Sequence, residues 1–275
     1  MRKTIIAAAV AGALSISGLA MADDAPAAPA AAPAAPASPL SFNVGLVSNY
    51  LFRGISQTHG KPAIQGGIDY ADPSGFYVGA WASNITWVKD FLGKGSVEVD
   101  VYGGYKGAID DWSYDVGYIT YNYPSHGDAI PTSLANPNTQ ELYLSLGYKW
   151  LSAKYSYATS NHFIGWYGGS DLLGNTRGSD YLELNANYDL GDGWTLVGHA
   201  GHQRVKDFSP ANYTDWKIGA TKDVGFGVVG LAYSDTNAKG GCSPVEAYCW
   251  GKDKSTTDFK DMSKGTLVLS FLKTF

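Results

Sequence analysis

Leu142-Tyr143-Leu144-Ser145-Leu146-Gly147-Tyr148-Lys149 places Leu142, Leu144, Leu146 and Tyr148 at alternate positions, with a mostly smaller or polar set between them. Successive side chains of a strand point to opposite faces, so this stretch reads as a ribbon with one apolar side and one wet side. Val97-Glu98-Val99-Asp100-Val101 repeats the pattern, as do Tyr181 to Tyr188 and Thr214-Asp215-Trp216-Lys217-Ile218. Working outward from these, twelve such segments begin near Phe42, Ala63, Phe76, Ser96, Trp112, Thr139, Leu151, Ser179, Trp194, Tyr213, Val224 and Lys264. From Ser41 onward no convincing run at helical period interrupts them. Short connections (71–75, 106–111, 149–150, 189–193 and 222–223) alternate with longer ones (56–62, 86–95, 124–138, 160–178, 205–212 and 235–263). That alternation predicts antiparallel up-and-down strands with tight turns at one end and long loops at the other.

Composition names the solvent of the apolar side. The 275 residues are 45% hydrophobic but only 16% charged, with 34 Gly and 19 Tyr. Mean hydropathy is −0.14, and beyond the N-terminus no stretch approaches the ~20 apolar residues of a membrane helix. Strands of about ten residues, tilted, cross an apolar band of about 25 Å, and only a closed sheet leaves no unpaired amides in lipid. Aromatic residues flank the short turns: Tyr70, Phe76, Tyr105, Trp112, Tyr148, Trp150, Tyr188, Trp194 and Phe226. A second set, Tyr50, Phe52, Trp87, Tyr121, Tyr123, Tyr157 and Tyr213, lies toward the long loops. Rings with a polar tip favour the headgroup level, so two girdles are expected. The fold class is therefore all-β: a single up-and-down antiparallel transmembrane β-barrel of about twelve strands. Outer-membrane lipid is its first partner.

The N-terminus predicts the compartment. Arg2 and Lys3, the mostly apolar run from Thr4 to Ser17, and Ala20-Met21-Ala22 form a secretory signal peptide over 1–22. Pro26, Pro29, Pro33, Pro36 and Pro39 punctuate an Ala-rich linker over 23–40, where fixed φ and missing amide donors block helix and sheet. The barrel then occupies 41–275, in the bacterial outer membrane. A net charge of −5 and an acidic pI near 5.5 argue against a nucleic-acid partner.

One stretch is more specific. Phe42-Asn43-Val44-Gly45-Leu46-Val47-Ser48-Asn49-Tyr50-Leu51-Phe52-Arg53-Gly54-Ile55-Ser56-Gln57 resembles the first strand of the TorF family. Members are proteobacterial outer-membrane proteins, named as porins, that open with Ser-x-Tyr-x-Phe-Arg-Gly-Ile-Ser-Gln; the resemblance implies a barrel and a porin-like function. The last strand also resembles the C-terminal insertion signal of bacterial outer-membrane proteins: Leu267, Leu269 and Phe271 alternate, and Phe275 is terminal. Lys273 departs from that pattern where an apolar residue is usual. The barrel-assembly machinery, engaging Phe275, is the partner implied.

With the apolar face outward, the other face lines the barrel. Its expected members are Asp69, Glu98, Asp100, Asp115, Glu141, Lys149, Lys154, Glu183, Asp215 and Lys217, joined by Arg53 if Phe52 faces lipid. Charges of both signs imply water and weak ion selectivity, since a dry unpaired charge is costly. They either line an aqueous pore or pair across the lumen and nearly close it. Arg53 is read either as a gating or solute-contact residue, or as the structural partner of a lumen carboxylate such as Asp69. Cys242 and Cys249, in the longest outer loop, are expected to form a disulfide in an oxidising compartment. No metal, cofactor or catalytic residue is expected. His199 and His202, three apart on a strand, face opposite sides and cannot share a metal without a bulge. His162 near Ser160 and His126 near Ser125 are the nearest hydrolase candidates, and neither has a strand-borne acid beside it. The expected function is passive diffusion of small hydrophilic solutes or ions through a porin-like, non-enzymatic channel. The alternatives are a closed structural or adhesive barrel acting through its loops, and an outer-membrane lipid hydrolase. No residue marks a seam for a homo-oligomer.

Overall fold

The computed structural model describes residues 39–124, 135–169, 174–252 and 257–275. The expected signal peptide, nearly all of the Ala/Pro linker, and Ser125 and His126 lie outside them.

Twelve strands close into a barrel: β1 (Leu40–Val47), β4 (Ala63–Ala71), β5 (Phe76–Asn84), β6 (Val97–Ile109), β7 (Trp112–Asn122), β8 (Thr139–Tyr148), β9 (Leu151–Ala158), β10 (Asp180–Gly191), β11 (Trp194–Arg204), β12 (Tyr213–Asp223), β13 (Val228–Thr236) and β16 (Thr266–Thr274). Each pairs antiparallel with its sequence neighbour in the wall, and β1 pairs with β16 to complete the ring. Phe275 extends the closure, its amide donating to the carbonyl of Phe42 and its carbonyl accepting from the Phe42 amide. The expected segment starts fall within four residues of the observed ones. The largest shift is at β13, where Val224–Gly227 form the turn and not the strand.

The tight turns explain themselves locally. Asp192-Gly193 between β10 and β11 is an Asp-Gly pair with both φ values positive, +51° and +76°. Left-handed central residues match the twist of paired strands, which is why such pairs make two-residue hairpins. In the β4–β5 turn, Asp72 accepts from the Ser74 hydroxyl and amide, which lowers its carboxyl pKa.

The outer wall carries the apolar set. Leu144, Leu182, Leu184, Leu196, Ile218 and Leu269 are among the large side chains left exposed there. The short-turn girdle is present: all nine aromatics expected in it are exposed, and Phe76–Tyr105, Trp112–Tyr148 and Trp150–Tyr188 touch ring to ring. The long-loop girdle differs from expectation. Of its seven expected members only Tyr157 faces outward, and the other six are packed inside the barrel mouth. Tyr157, Trp216 and Tyr233 hold the outward positions there instead.

The reason is a hairpin. Beyond Val47 the chain does not continue up the wall. It turns inward and forms β2 (Leu51–Phe52) and β3 (Ile55–Ser56) inside the lumen. Arg53 and Gly54 make its tip, with φ of +49° and +78°. Gly54 is required twice: for that φ, and because a Cβ there would stand 2.9 Å from Asp215 Cβ. The helix α1 (Trp87–Leu92), unexpected from the sequence, and the pair β14 (Cys249–Gly251) with β15 (Phe259–Asp261) pack over the hairpin. Backbone bonds tie these layers, Ser56 N to Met262 O and Thr86 N to Gln57 O. The Cys242 and Cys249 sulfurs stand at bonding distance within the same cap.

Candidate functional site

The functional candidate is the lumen, and its two sides are built differently. From β4 to β8 the wall is a ladder of tyrosines laid across glycines. Tyr102 pairs with Gly79, Tyr77 with Gly104 and Tyr143 with Gly117. A Cβ at any of these glycines would run into the ring or hydroxyl of its partner. Tyr181 on β10 covers Gly201 on β11 in the same way. Four of the 34 glycines and four of the 19 tyrosines are thereby placed: each of these flat rings lies over a position where the neighbouring strand offers no side chain.

The lumen carboxylates sit beneath these rings. Tyr102 donates to Asp69, and Tyr77 to Asp115 at 2.7 Å, while the Tyr77 and Tyr143 hydroxyls meet each other. Tyr50, from the base of the hairpin, donates to Glu98 at 2.7 Å. Burial, with the charges of Glu98 and Asp100 behind it, holds the Tyr50 hydroxyl well above its ordinary pKa, so it stays the donor. Lys154 lies 3.6 Å from Glu183 and over the Tyr143 ring. His199 joins Asp215 at 2.8 Å and Tyr181 at 2.9 Å through Nε2, and Asn185 at 2.7 Å through Nδ1. Asp100 and Asp215 are fully buried, and Lys217 nearly so.

Arg53 sits at the centre. Its guanidinium donates to both Glu141 oxygens at 2.8 and 3.1 Å and to Gln203 at 2.8 Å. It also lies over the rings of Phe52, Phe163 and Tyr181. A planar five-donor fork suits this mixed bidentate and stacking role, which lysine cannot fill. Arg53 thus enters the lumen as expected, but by a different route and to a different partner. Phe52 is buried in the hairpin and does not face lipid, and the carboxylate is Glu141, Asp69 being engaged by Tyr102.

Ten of the eleven expected lumen residues point inward. The exception is Lys149, which belongs to the β8–β9 turn, has φ of +54° and is half exposed, 3.5 Å from Asp111 of the adjacent turn. The alternation of β8 ends one residue earlier than the sequence pattern continues. Of the two expected arrangements, lining water or pairing across the lumen, the contacts show the second for most of these charges: Asp69, Glu98 and Asp115 accept from tyrosines, Glu141 pairs with Arg53, Lys154 with Glu183, and Asp215 with His199. His202 faces outward and bonds Thr214, so it shares nothing with His199. His162 Nδ1 contacts the Trp166 carbonyl at 3.3 Å, and the Ser160 hydroxyl donates to the His162 carbonyl, an arrangement with no activated nucleophile.

The other side of the lumen is open. From β11 through β13 and β16 to β1 the inward residues are mostly small, among them Thr221, Gly230, Ala232, Ser234, Val268 and Ser270. They border a cavity of about 610 Å³ that is continuous with solvent. Trp81 of β5 and Gln65 of β4 face it from the opposite side, Lys217 of β12 from the same side, and Asn49, Tyr50 and Leu51 of the hairpin base close its inner side. On β13 the lining runs from Gly230 to Ser234 and on β12 from Thr221 to Lys217, about 13 Å along each strand at ~3.3 Å per residue.

The chain matches, over residues 30–275, the family described as "Bacterial protein of unknown function (Gcw_chp)". It belongs to that family. That description does not carry the TorF name suggested by Ser48–Gln57. No curated protein matches the chain. Solved structures similar to this Gcw_chp chain include the KdgM porin, with a TM-score of 0.49 and 8% identity over 86% of this chain and 98% of that one. The NanC porin gives 0.49 and 12% over 85% and 98%. Pseudomonas aeruginosa OprD gives 0.40 and 11% over 88% and 68%. The barrel assignment here stands on the strand pairing itself.

Proposed function

We propose that this chain is an outer-membrane channel for passive diffusion of small hydrophilic solutes, in which an inward hairpin restricts the lumen to a side passage. The observation that carries the reading is the 610 Å³ cavity running beside the hairpin along the small-residue wall. A packed soluble barrel would fill that space, and a lipid-facing exterior of large apolar side chains has no role in water. The resemblance of Ser48–Gln57 to the TorF family, and of the final strand to an insertion signal read at Phe275 by the barrel-assembly machinery, supports the same placement. Because the lumen carboxylates are largely covered by tyrosines, and neutral residues dominate the passage, ion selectivity is weak.

Planar-bilayer recording of the refolded chain tests this. Discrete steps are expected, and Ser270→Trp, which narrows the passage away from the buried charges, should at least halve them. A folded wild type without steps refutes the channel. That outcome would favour the second reading, a closed barrel acting through its loops, for which the observation is the Arg53–Glu141 pair sealed in the lumen centre at 0% and 1% side-chain exposure.

A further inference from the structure

Beside the hairpin tip, His199 of β11 stands among acceptors on both edges of its ring. Nε2 lies 2.8 Å from Asp215, and Nδ1 lies 2.7 Å from the Asn185 amide oxygen and 3.5 Å from Glu183. The Asn185 amide is held in that orientation, because its nitrogen donates to Glu183 at 2.9 Å. A neutral imidazole has one N–H and an imidazolium has two. With one N–H, a bare ring nitrogen would face an oxygen at one of these contacts. Tyr181 cannot relieve this: its single hydroxyl proton serves either Asp215 or Nε2, each at 2.9 Å. The contacts therefore fit the charged ring.

The charges around it come from four elements. Asp215 and Lys217 lie on β12, with Lys217 opposite His199 in the register. Tyr181 and Glu183 lie on β10, and Lys154 of β9 stands 3.6 Å from Glu183. From the hairpin, the Arg53 guanidinium lies 4.3 Å over the Tyr181 ring. Of these groups only the imidazole ordinarily changes charge near neutrality. The tip rests on the same residues: Gly54 lies so close to Asp215 that no Cβ fits between them, and Arg53 stacks on the tyrosine that donates to Asp215.

We infer that His199 is a pH-sensitive latch for the hairpin: as imidazolium it holds Asp215 and Tyr181 as the seat of Arg53 and Gly54, and loss of its proton to water releases the tip. Asp215 and His199 are both wholly enclosed, so the neutral ring would leave the carboxylate without the cation that touches it. A buried charge in that state is costly, and lifting the tip lets water reach it. The latch is thus closed on the acid side and opens as pH rises through the titration of His199. That release widens the passage rests on the channel reading above; the release itself does not.

The test is hydrogen exchange of the full chain refolded in detergent micelles, read by mass spectrometry on peptides covering residues 49–57. Rates are corrected for the intrinsic effect of pH on exchange, and a heat-modifiability gel checks folding. From about pH 5.5 to about pH 8.5, on either side of the ordinary imidazole value, hairpin exchange should rise while the wall strands stay protected. The expected rise is about tenfold, the loss of one charge-assisted hydrogen bond. His199→Gln cannot titrate and should exchange fast at both ends of the range. Asp215→Asn removes the carboxylate that needs the proton and should flatten the profile too, so either variant serves if the other misfolds. His59, 3.4 Å from Asp90 in the outer cap, is a second histidine facing a carboxylate, and His59→Gln should keep the wild-type profile. The inference fails if the folded wild type shows no corrected change with pH. It also fails if a folded His199→Gln or Asp215→Asn keeps the profile, or if His59→Gln abolishes it. Bilayer recordings at the same two pH values score the channel separately: absence of steps at both refutes conduction, while exchange decides the latch.

Discussion

Replacing Arg53 with alanine removes the group that fastens the hairpin inside the barrel. The side chain is fully buried, donates three hydrogen bonds to Glu141 and Gln203, and lies over three aromatic rings. Its loss would leave Glu141, itself fully buried, with the Tyr121 hydroxyl at 3.2 Å as its remaining donor among these contacts. Breaking a buried pair in this way costs about 3–5 kcal/mol. The barrel wall, paired all round, need not absorb that cost, because the hairpin can leave the lumen and let water reach Glu141. At about 1.4 kcal/mol per factor of ten, the closed arrangement loses two to three and a half powers of ten in its favour. The assay is single-channel conductance of Arg53→Ala beside wild type, with circular dichroism and a heat-modifiability gel as folding controls. A larger unitary conductance, or frequent long openings, is expected from a folded barrel. Glu141→Gln keeps the hydrogen-bonding shape but strands the guanidinium charge, and should move conductance the same way by less. If folded Arg53→Ala conducts as wild type does, the hairpin is not what restricts the lumen.

Other outcomes follow from the same geometry. Leu184→Arg puts a charge on the lipid face near mid-height of β10 and should cost about 2–4 kcal/mol in urea titrations of the barrel folded in vesicles; an effect below ~0.5 kcal/mol would mean that face does not meet lipid. Gly117→Ala drives Tyr143 off its seat and away from Tyr77, and overpacking of this kind costs about 1–3 kcal/mol in the same titration. Glu98→Leu should perturb conductance or stability more than Val99→Thr, because Glu98 is buried against Tyr50 while Val99 lies on the outer face; equal effects would invert the facing of β6. Cys242→Ser with Cys249→Ser opens only a short loop in the outer cap, so the thiol labelling that wild type shows only after reduction should be absent from the variant with the barrel still folded; unfolding would place the pair in a larger role.

The wall was legible because one rule governs its outer side everywhere. The outer face carries exposed Leu144, Leu182, Leu184 and Ile218 while their polar neighbours turn inward, as the proposed lipid surroundings would require, and a period of two fixes which residue is which. Turn chemistry at Asp192-Gly193 then fixes where strands end. The hairpin was not legible from that rule. Leu51-Phe52-Arg53-Gly54-Ile55 is apolar enough to pass for the top of β1, and what distinguishes it is Arg53-Gly54, a dipeptide whose two positive φ values make a tip and not a strand. The misplaced second girdle has the same origin: Tyr50, Phe52, Trp87, Tyr121, Tyr123 and Tyr213 have the residue type of interface anchors, but the hairpin offered them an interior to pack against. Inward partners were hidden for a further reason. Tyr77 looks like one more strand tyrosine until the β5–β6 register sets it opposite Gly104, and His199 finds Asp215 only across the β11–β12 pairing.

A barrel of eight strands has an interior that side chains just fill, whereas twelve strands enclose more than side chains can span. This chain meets the surplus in two ways that differ in reversibility. Tyr102, Tyr77 and Tyr143 fill one side from the wall itself, each locked over a glycine, so that side cannot widen without breaking strand-to-strand packing. The upper centre is filled by the hairpin, which hangs from Val47 and the outer loops and is fastened inside by side-chain contacts at Arg53. The width of the passage along Thr221, Ser234 and Ser270 is therefore set by a wall on one side and by a removable element on the other. A change confined to the Arg53, Glu141 and Gln203 cluster can alter the bore while every pair in the wall stays intact, which is the physical basis for separating conductance from folding in the variants above.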